Sequence, residues 1–273
     1  MVDSIMANNM IIRICKSFAD IYQYRSMMFS IIQKDLFGRY KNSFFGFGWH
    51  FISPIIMMAV YYVVYSSGMR STSIDDFVIY ISSVLFSFSF MTSNLSGGSG
   101  YITGSGTMLK KMYFPRELLV ISHVISSFIV MIVGYILVFG LIALYGFILN
   151  PLSALFVIVI FVLMFFFTLG YVLLFSSLTV YIRDVHYLLS SINIIFMFVT
   201  PMYFSVNNLT GPMSNVVWLN PFTYFIEAIH DCIYYRIMPD EKILIVCIIM
   251  AAVSMLVGFL VFKKLKHGFV ERL

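Results

Sequence analysis

Late in the chain, Glu227, His230 and Asp231 set two carboxylates and an imidazole within little more than one helical turn. Such a set can hold a cation or relay a proton. No second cluster elsewhere completes a metal site or an acid–base pair, so satisfied interfacial polar groups are the simpler reading and no metal is assigned. The other histidines, His50, His123, His186 and His267, are scattered; His123 is expected as a packed or interface residue. Cys15, Cys232 and Cys247 lie far apart, with no CxxC or Cys/His ligand spacing, so no disulfide framework is expected. A glycine cluster, Gly97, Gly98, Gly100, Gly104 and Gly106, has the composition of a phosphate cradle. It lacks the Lys of G-x-x-x-x-G-K-[ST], and reads instead as a flexible or tightly turned link. No ATPase site and no cofactor of the chain's own are therefore expected.

Two further charged groups stand out. Asp35 and Arg39 sit at i and i+4 and can pair on the apolar side of a helix, where charges need protein cover. A weak surface pair at a frayed helix end is the plainer alternative. Lys110, Lys111 and Arg116 flank Tyr113, Phe114 and Pro115 in one basic stretch, and Arg183-Asp184 follows a long uncharged run.

The elements that must position these groups are membrane spans. The 273-residue chain is 61% hydrophobic and only 11% charged, with a mean hydropathy of +0.96. A soluble domain carries about a quarter charged residues. The net charge of +5 raises nucleic acid as a partner, but the cations flank apolar spans instead of forming a basic domain. Contact with anionic lipid explains them better, and nucleic-acid binding is not expected. All but Arg70, Arg236 and Lys242 of the 17 Lys and Arg fall on the side that holds both termini. Cationic loops stay in the cytoplasm, so both ends are read as inside. No cleavable signal is evident, because Arg13 interrupts the short apolar run Met10 to Ile14.

The fold class expected is all-α integral membrane, a single permease domain over 1–273 with six spans at about 51–68, 77–93, 118–146, 152–180, 188–204 and 243–262. From Leu118 to Ile182 no Asp, Glu, Lys or Arg occurs, and Asn150-Pro151 breaks the run into two spans. Pro54 is placed in the first turn of span one, where proline is tolerated. Within the first 49 residues, Ile21, Tyr24, Met28, Ile31 and Ile32 recur at helical spacing opposite Ser26, Ser30, Gln33 and Lys34. This is an amphipathic helix for the cytoplasmic interface. Between spans five and six, at 205–241, Phe222, Phe225, Ile226, Ile229 and Ile233 form one stripe and Glu227, His230, Asp231 and Tyr234 another. A helix of that length is too short to span, and is expected to be an external re-entrant segment.

The run Arg25 to Pro54, with Lys34-Asp35, Arg39-Tyr40-Lys41, Gly46-x-Gly48-Trp49 and Pro54, resembles the leading segment of polysaccharide-exporter permeases of the ABC transporter superfamily. Leu109 to Glu117 and Leu219-Asn220-Pro221-Phe222 resemble later motifs of the same family. The resemblance implies a homodimer in a bacterial or archaeal cytoplasmic (inner) membrane, with two copies of a separate ATP-binding subunit on the cytoplasmic face. ATP and Mg would sit on that partner. It further implies export of a lipid-linked glycan: O-antigen, capsule or teichoic acid. Lys110, Lys111, Tyr113, Arg116, Arg183 and Asp184 are then expected to contact the ATPase, although the positive-inside rule alone also accounts for the cations. Asp35, Arg39 and Trp49 become an interfacial gate for the lipid head group. A sugar polymer needs weak repeated contacts, for which Tyr61 and Tyr65 on span one and the stripe Asn193, Phe196, Met197 and Thr200 on span five are the candidates. An interfacial aromatic belt is the alternative for the tyrosines.

Rival classes leave traces that can be sought. An ion-coupled carrier would place charges at mid-span, at roughly 2.5 to 3.5 kcal/mol each, and this chain has none there. A membrane transferase would need convergent His or carboxylates at one face, which only Glu227, His230 and Asp231 approach. An exporter of drugs or small lipids shares the six-span plan and is the closest alternative.

Overall fold

The computed structural model describes residues 23–38, 43–66, 74, 76–111, 114–146, 150–209 and 211–272. Among these the chain is all-helical, without strands. A helix satisfies its backbone N–H and C=O groups within one segment, as an apolar medium demands. The elements are α1 (Arg25–Gly38), α2 (Trp49–Ser66), α3 (Phe77–Ser93), α4 (Tyr101–Gly104), α5 (Gly106–Lys111), α6 (Glu117–Leu144), α7 (Pro151–Tyr181), α8 (Asp184–Val199), α9 (Pro212–Leu219), α10 (Pro221–Ile233), α11 (Glu241–Leu265) and α12 (Phe269–Arg272).

Four stretches among the described residues are long and apolar enough to cross a bilayer: Phe77–Gly98, Glu117–Leu144, Pro151–Tyr181 and Glu241–Gly268. The helices at the expected first and fifth spans are shorter. With 18 and 16 residues, α2 and α8 reach about 27 and 24 Å at 1.5 Å per residue, against a hydrocarbon thickness of about 30 Å. Pro54 lies inside α2 and not in its first turn, because the helix already starts at Trp49. Lacking an N–H, the proline cannot donate the i→i−4 bond of a helix interior at that point.

Helix starts follow local chemistry. Asn150 and Asn220 accept from the backbone N–H groups of Leu152 and Phe222, each ahead of a proline at the first helical position. Asp240 caps α11 in the same way, and Lys263 and Lys264 in its last turn complement the helix dipole.

The glycine-rich link is helical, not loose. After α3 the chain makes a π-helical turn at Asn94–Gly98 and continues into α4 and α5. Gly98 and Gly100 are needed for close approach: a Cβ would come 3.0 Å from the Val172 methyls at the first and 3.2 Å from the His186 ring at the second.

The tightest helix contact joins α7 to α11. A Cβ on Gly258 would sit 2.0 Å from the Gly170 carbonyl oxygen, so the two backbones touch directly. Lipid offers no hydrophobic drive between helices, and such close packing supplies the attraction instead. Against this pair packs α10, through Phe167 stacked on Phe225 at 4.9 Å. Buried Tyr135 donates to the Ser83 carbonyl and buried Tyr171 to that of Met91, tying α6 and α7 to α3. The outward faces of α7 and α11 carry exposed Leu155, Ile158, Ile249 and Leu256, a surface suited to lipid.

Candidate functional site

A cavity of about 750 Å³ opens between α1, α2, α3, α6 and the C-terminal end of α8. Asp35 on α1 lines it, held there by two distant residues. The Tyr101 hydroxyl donates to Asp35 Oδ2 at 2.6 Å, and His123 Nδ1 lies 3.2 Å from the same oxygen. Tyr101 and His123 also stack, with ring centroids 4.0 Å apart. Burial alone would raise the Asp35 carboxyl. The hydrogen bonds from His123 and Tyr101, with the charges of His123 and Lys34, outweigh burial and hold it below its ordinary value. The charge on the apolar side of α1 is therefore covered, as Ile31 and Ile32 are. Arg39, the partner expected from spacing, lies outside the described residues.

The rest of the lining mixes two chemistries. Met57, Phe86, Phe88, Met131 and Met197 are apolar. Ser89, Thr92, Ser126 and Ser127 carry hydroxyls and come from the same two helices as Phe86, Phe88 and Met131. The Thr92 and Ser126 hydroxyls donate to carbonyls of their own helices and so retain lone pairs for a ligand, while Ser127 Oγ, bonded to the His123 carbonyl, also accepts from the Asn94 amide at 2.9 Å. Trp49 also lines the cavity and donates its indole N–H to Ser43 Oγ at 2.9 Å. Tyr203 lines it as well.

The α8 stripe divides as well. Met197 lines the cavity, whereas Phe196 meets Phe222 edge-on at 4.9 Å. Buried Thr200 accepts from the Asn220 side-chain amide at 2.7 Å. Asn193 Oδ1 is buried with no hydrogen-bond partner. Tyr61 and Tyr65 fall on α2, and their side chains lie outside the description.

The basic face gathers the second set. Lys110 and Lys111 end α5 and are exposed. Arg116 precedes α6 with its guanidinium 5.7 Å from the Phe269 ring centre, while Tyr113 lies outside the described residues. Arg183 and Asp184 are exposed where α7 gives way to α8. The chain's end, read from sequence only as an inside anchor, is docked here. Lys266 Nζ pairs with the buried Glu117 carboxylate at 2.5 Å, and the Tyr181 hydroxyl donates to the Leu265 carbonyl. Phe262 and Phe269 are fully buried. Their spacing with Leu265, an apolar stripe running past the three lysines, is the signal that would have revealed this docking.

At the opposite end, the cluster on α10 is internal. His230 is completely buried, stacked on Tyr80 at 3.9 Å, with Nε2 3.3 Å from the Tyr80 carbonyl oxygen and Nδ1 3.6 Å from Glu227. Burial and then the Glu227 charge push the Asp231 carboxyl up to about 6. Among the described residues no three His, Cys, Asp or Glu side chains converge as metal ligands. The apolar stripe Phe222, Phe225, Ile226, Ile229 and Ile233 is buried throughout, which fits its spacing.

The sequence profile of the ABC-2 type transporter matches residues 27–234, from within α1 to just past the end of α10. The O-antigen export system permease protein RfbA of Myxococcus xanthus is 25% identical over 254 residues, covering 92% of this chain and 97% of that protein. Two proteins of the same name from Klebsiella pneumoniae are 25% identical over 251 and 248 residues, each match covering 88% of this chain and 92% of the relative.

Proposed function

The chain belongs to the ABC-2 type transporter family, whose permeases work with a separate ATP-binding subunit, and from that premise we propose that it is the membrane-spanning subunit of an ATP-driven exporter of lipid-linked polysaccharide. O-antigen export is the activity named for its relatives, and the glycan here is of that class. The carrying observation is the cavity between α1 and the spans, whose lining mixes apolar side chains with hydroxyls. The apolar side chains suit the lipid carrier and the first sugar faces. Hydroxyls already bonded to their own helices exchange those bonds for sugar hydroxyls at little cost, which lets a polymer slide instead of lodging.

In this reading Lys34 and His123, beside Asp35, meet the anionic head group at the cytoplasmic interface, and Trp49 guards the opening. The exposed apolar faces of α2 (Ile55, Ile56, Val60) and α8 (Ile194, Ile195, Phe198) meet a second copy, so two chains enclose one conduit with six spans each. Pairing also covers helices too short to face lipid along their whole length. Both termini and the basic face lie in the cytoplasm. There Lys110, Lys111, Tyr113, Arg116, Arg183 and Asp184 receive the ATP-binding subunit. The α9–α10 pair is the external re-entrant segment, its Glu227, His230 and Asp231 held as structural polar groups.

The test is to purify the chain with its co-expressed ATP-binding subunit and assay ATP hydrolysis with candidate substrates. Lipid-linked glycans are expected to stimulate turnover, and widening the side chain at Ser126 (Ser126→Trp) is expected to abolish the stimulation while the complex stays intact. Stimulation by drugs or short lipids, with none by lipid-linked glycans, would favour the small-molecule exporter instead.

A further inference from the structure

A second cavity, of about 400 Å³, lies on the basic face apart from the substrate path. Three separate parts of the chain wall it. Thr103 and Gly104 come from α4, Arg183 and His186 from the junction of α7 and α8, and Arg272 from α12. Two arginines thus line one small space. Arg272 is positioned by its stacking over the Tyr181 ring at 4.6 Å. His186 Nδ1 is engaged by Ser99 Oγ at 3.0 Å, which turns the imidazole to a fixed orientation. Among the described lining residues Val180 is the one aliphatic side chain, beside the Tyr187 ring, which offers little apolar surface to the tails of a phospholipid.

We propose that this cavity is a socket for an acidic side chain of the ATP-binding subunit, and that α12 is a third docking element beside the two basic loops. The inference rests on the exporter reading for the identity of the partner. Paired arginines suit a carboxylate because each guanidinium offers a planar fork of donors. A carboxylate seated there touches α4, the α7–α8 junction and α12 together. The chain's end is fastened to the spans by Lys266 on Glu117, by the Tyr181 hydroxyl on the Leu265 carbonyl and by Phe269 under Arg116. One partner residue therefore grips the cytoplasmic ends of α6, α7, α8 and α11 as a single body. A docking mode confined to the α5 loop would leave α8 and α11 free of the motor.

The experiment compares the wild-type chain with Arg183→Glu, Arg272→Glu, the double variant and the conservative Arg272→Lys, each co-expressed with the ATP-binding subunit. Retention of the subunit after purification is measured, with the melting temperature of the permease alone as a control for folding. Each charge reversal is expected to weaken retention about tenfold or more, as loss of a buried charge partner does, with the melting temperature unchanged and Arg272→Lys intermediate, since lysine keeps the charge but not the planar fork. Reversing one Asp or Glu of the subunit to Arg is expected to restore binding to Arg272→Glu. Wild-type retention by the double variant overturns the socket. So does loss of bound phosphatidylglycerol, read by native mass spectrometry, with the subunit still retained, since that outcome assigns the site to a lipid phosphate. If the wild-type chain itself retains no ATP-binding subunit, the exporter reading fails first.

Discussion

Asp35 accepts from Tyr101 and His123, residues 66 and 88 positions away, and so pins α1 to the bundle. Its carboxyl is held below its ordinary value of 3.8, so the stabilisation it gives is complete above that value and is lost as pH falls through the lowered one. Hydrogen exchange of α1, corrected for the intrinsic rate, is expected to rise on acidification below about pH 4 in the native chain but not in Asp35→Asn. At neutral pH Asp35→Ala is expected to speed exchange by roughly tenfold or more, since hydrogen bonds to a charged group contribute about 1.5 to 3 kcal/mol each. Unchanged exchange in Asp35→Ala would show that α1 is held by Ile31 and Ile32 alone. Asp231 has the opposite sign. Its carboxyl is raised to about 6, so the folded state loses stability as pH rises from the ordinary carboxylate range through 6. Asp231→Asn is expected to raise the melting temperature more at pH 8 than at pH 5, and an equal gain at both would remove the charge argument.

The helices depend on contacts of different kinds. Where Gly170 meets Gly258, a larger side chain must separate the two backbones. Gly258→Leu is expected to leave little folded protein, and a monodisperse variant with the native melting temperature would contradict the packing described. Asn220 caps α10 and bonds Thr200, so Asn220→Ala is expected to cost about 1 to 2 kcal/mol, visible as a lowered melting temperature. Most of the helices were legible in the sequence because charge is excluded from Leu118 to Ile182 and because Asn150-Pro151 and Asn220-Pro221 mark helix starts. Spacing likewise gave the buried stripe of α10. What spacing missed was contact between distant segments. The Asp35–His123–Tyr101 cluster joins three helices, and the i, i+4 rule pointed to Arg39. His230 sits on a polar stripe in a helical projection, yet Tyr80 covers it from α3. The glycines of 97–106 looked pliable, while in the fold Gly98 and Gly100 admit Val172 and His186. Periodicity describes one helix and its faces; it does not say which neighbour lies against each face.

Across the whole molecule, polar groups are segregated by end. Among the described residues one face carries Lys110, Lys111, Arg183 and the docked C-terminal segment, the far end carries the α9–α10 pair, and Asp35 and Tyr203 both line the cavity. In the exporter proposed above, that segregation suits a device worked from one side, with force entering at the basic face and the substrate moving along the cavity. The direct measurement is transport in proteoliposomes that hold the chain together with its ATP-binding subunit, with a lipid-linked glycan added on the basic-face side. ATP-dependent appearance of the glycan on the other side, requiring both proteins and lost with Ser126→Trp, is the expected result. Glycan movement by this chain alone under an ion gradient, or nucleotide hydrolysis by the isolated chain, would contradict the account.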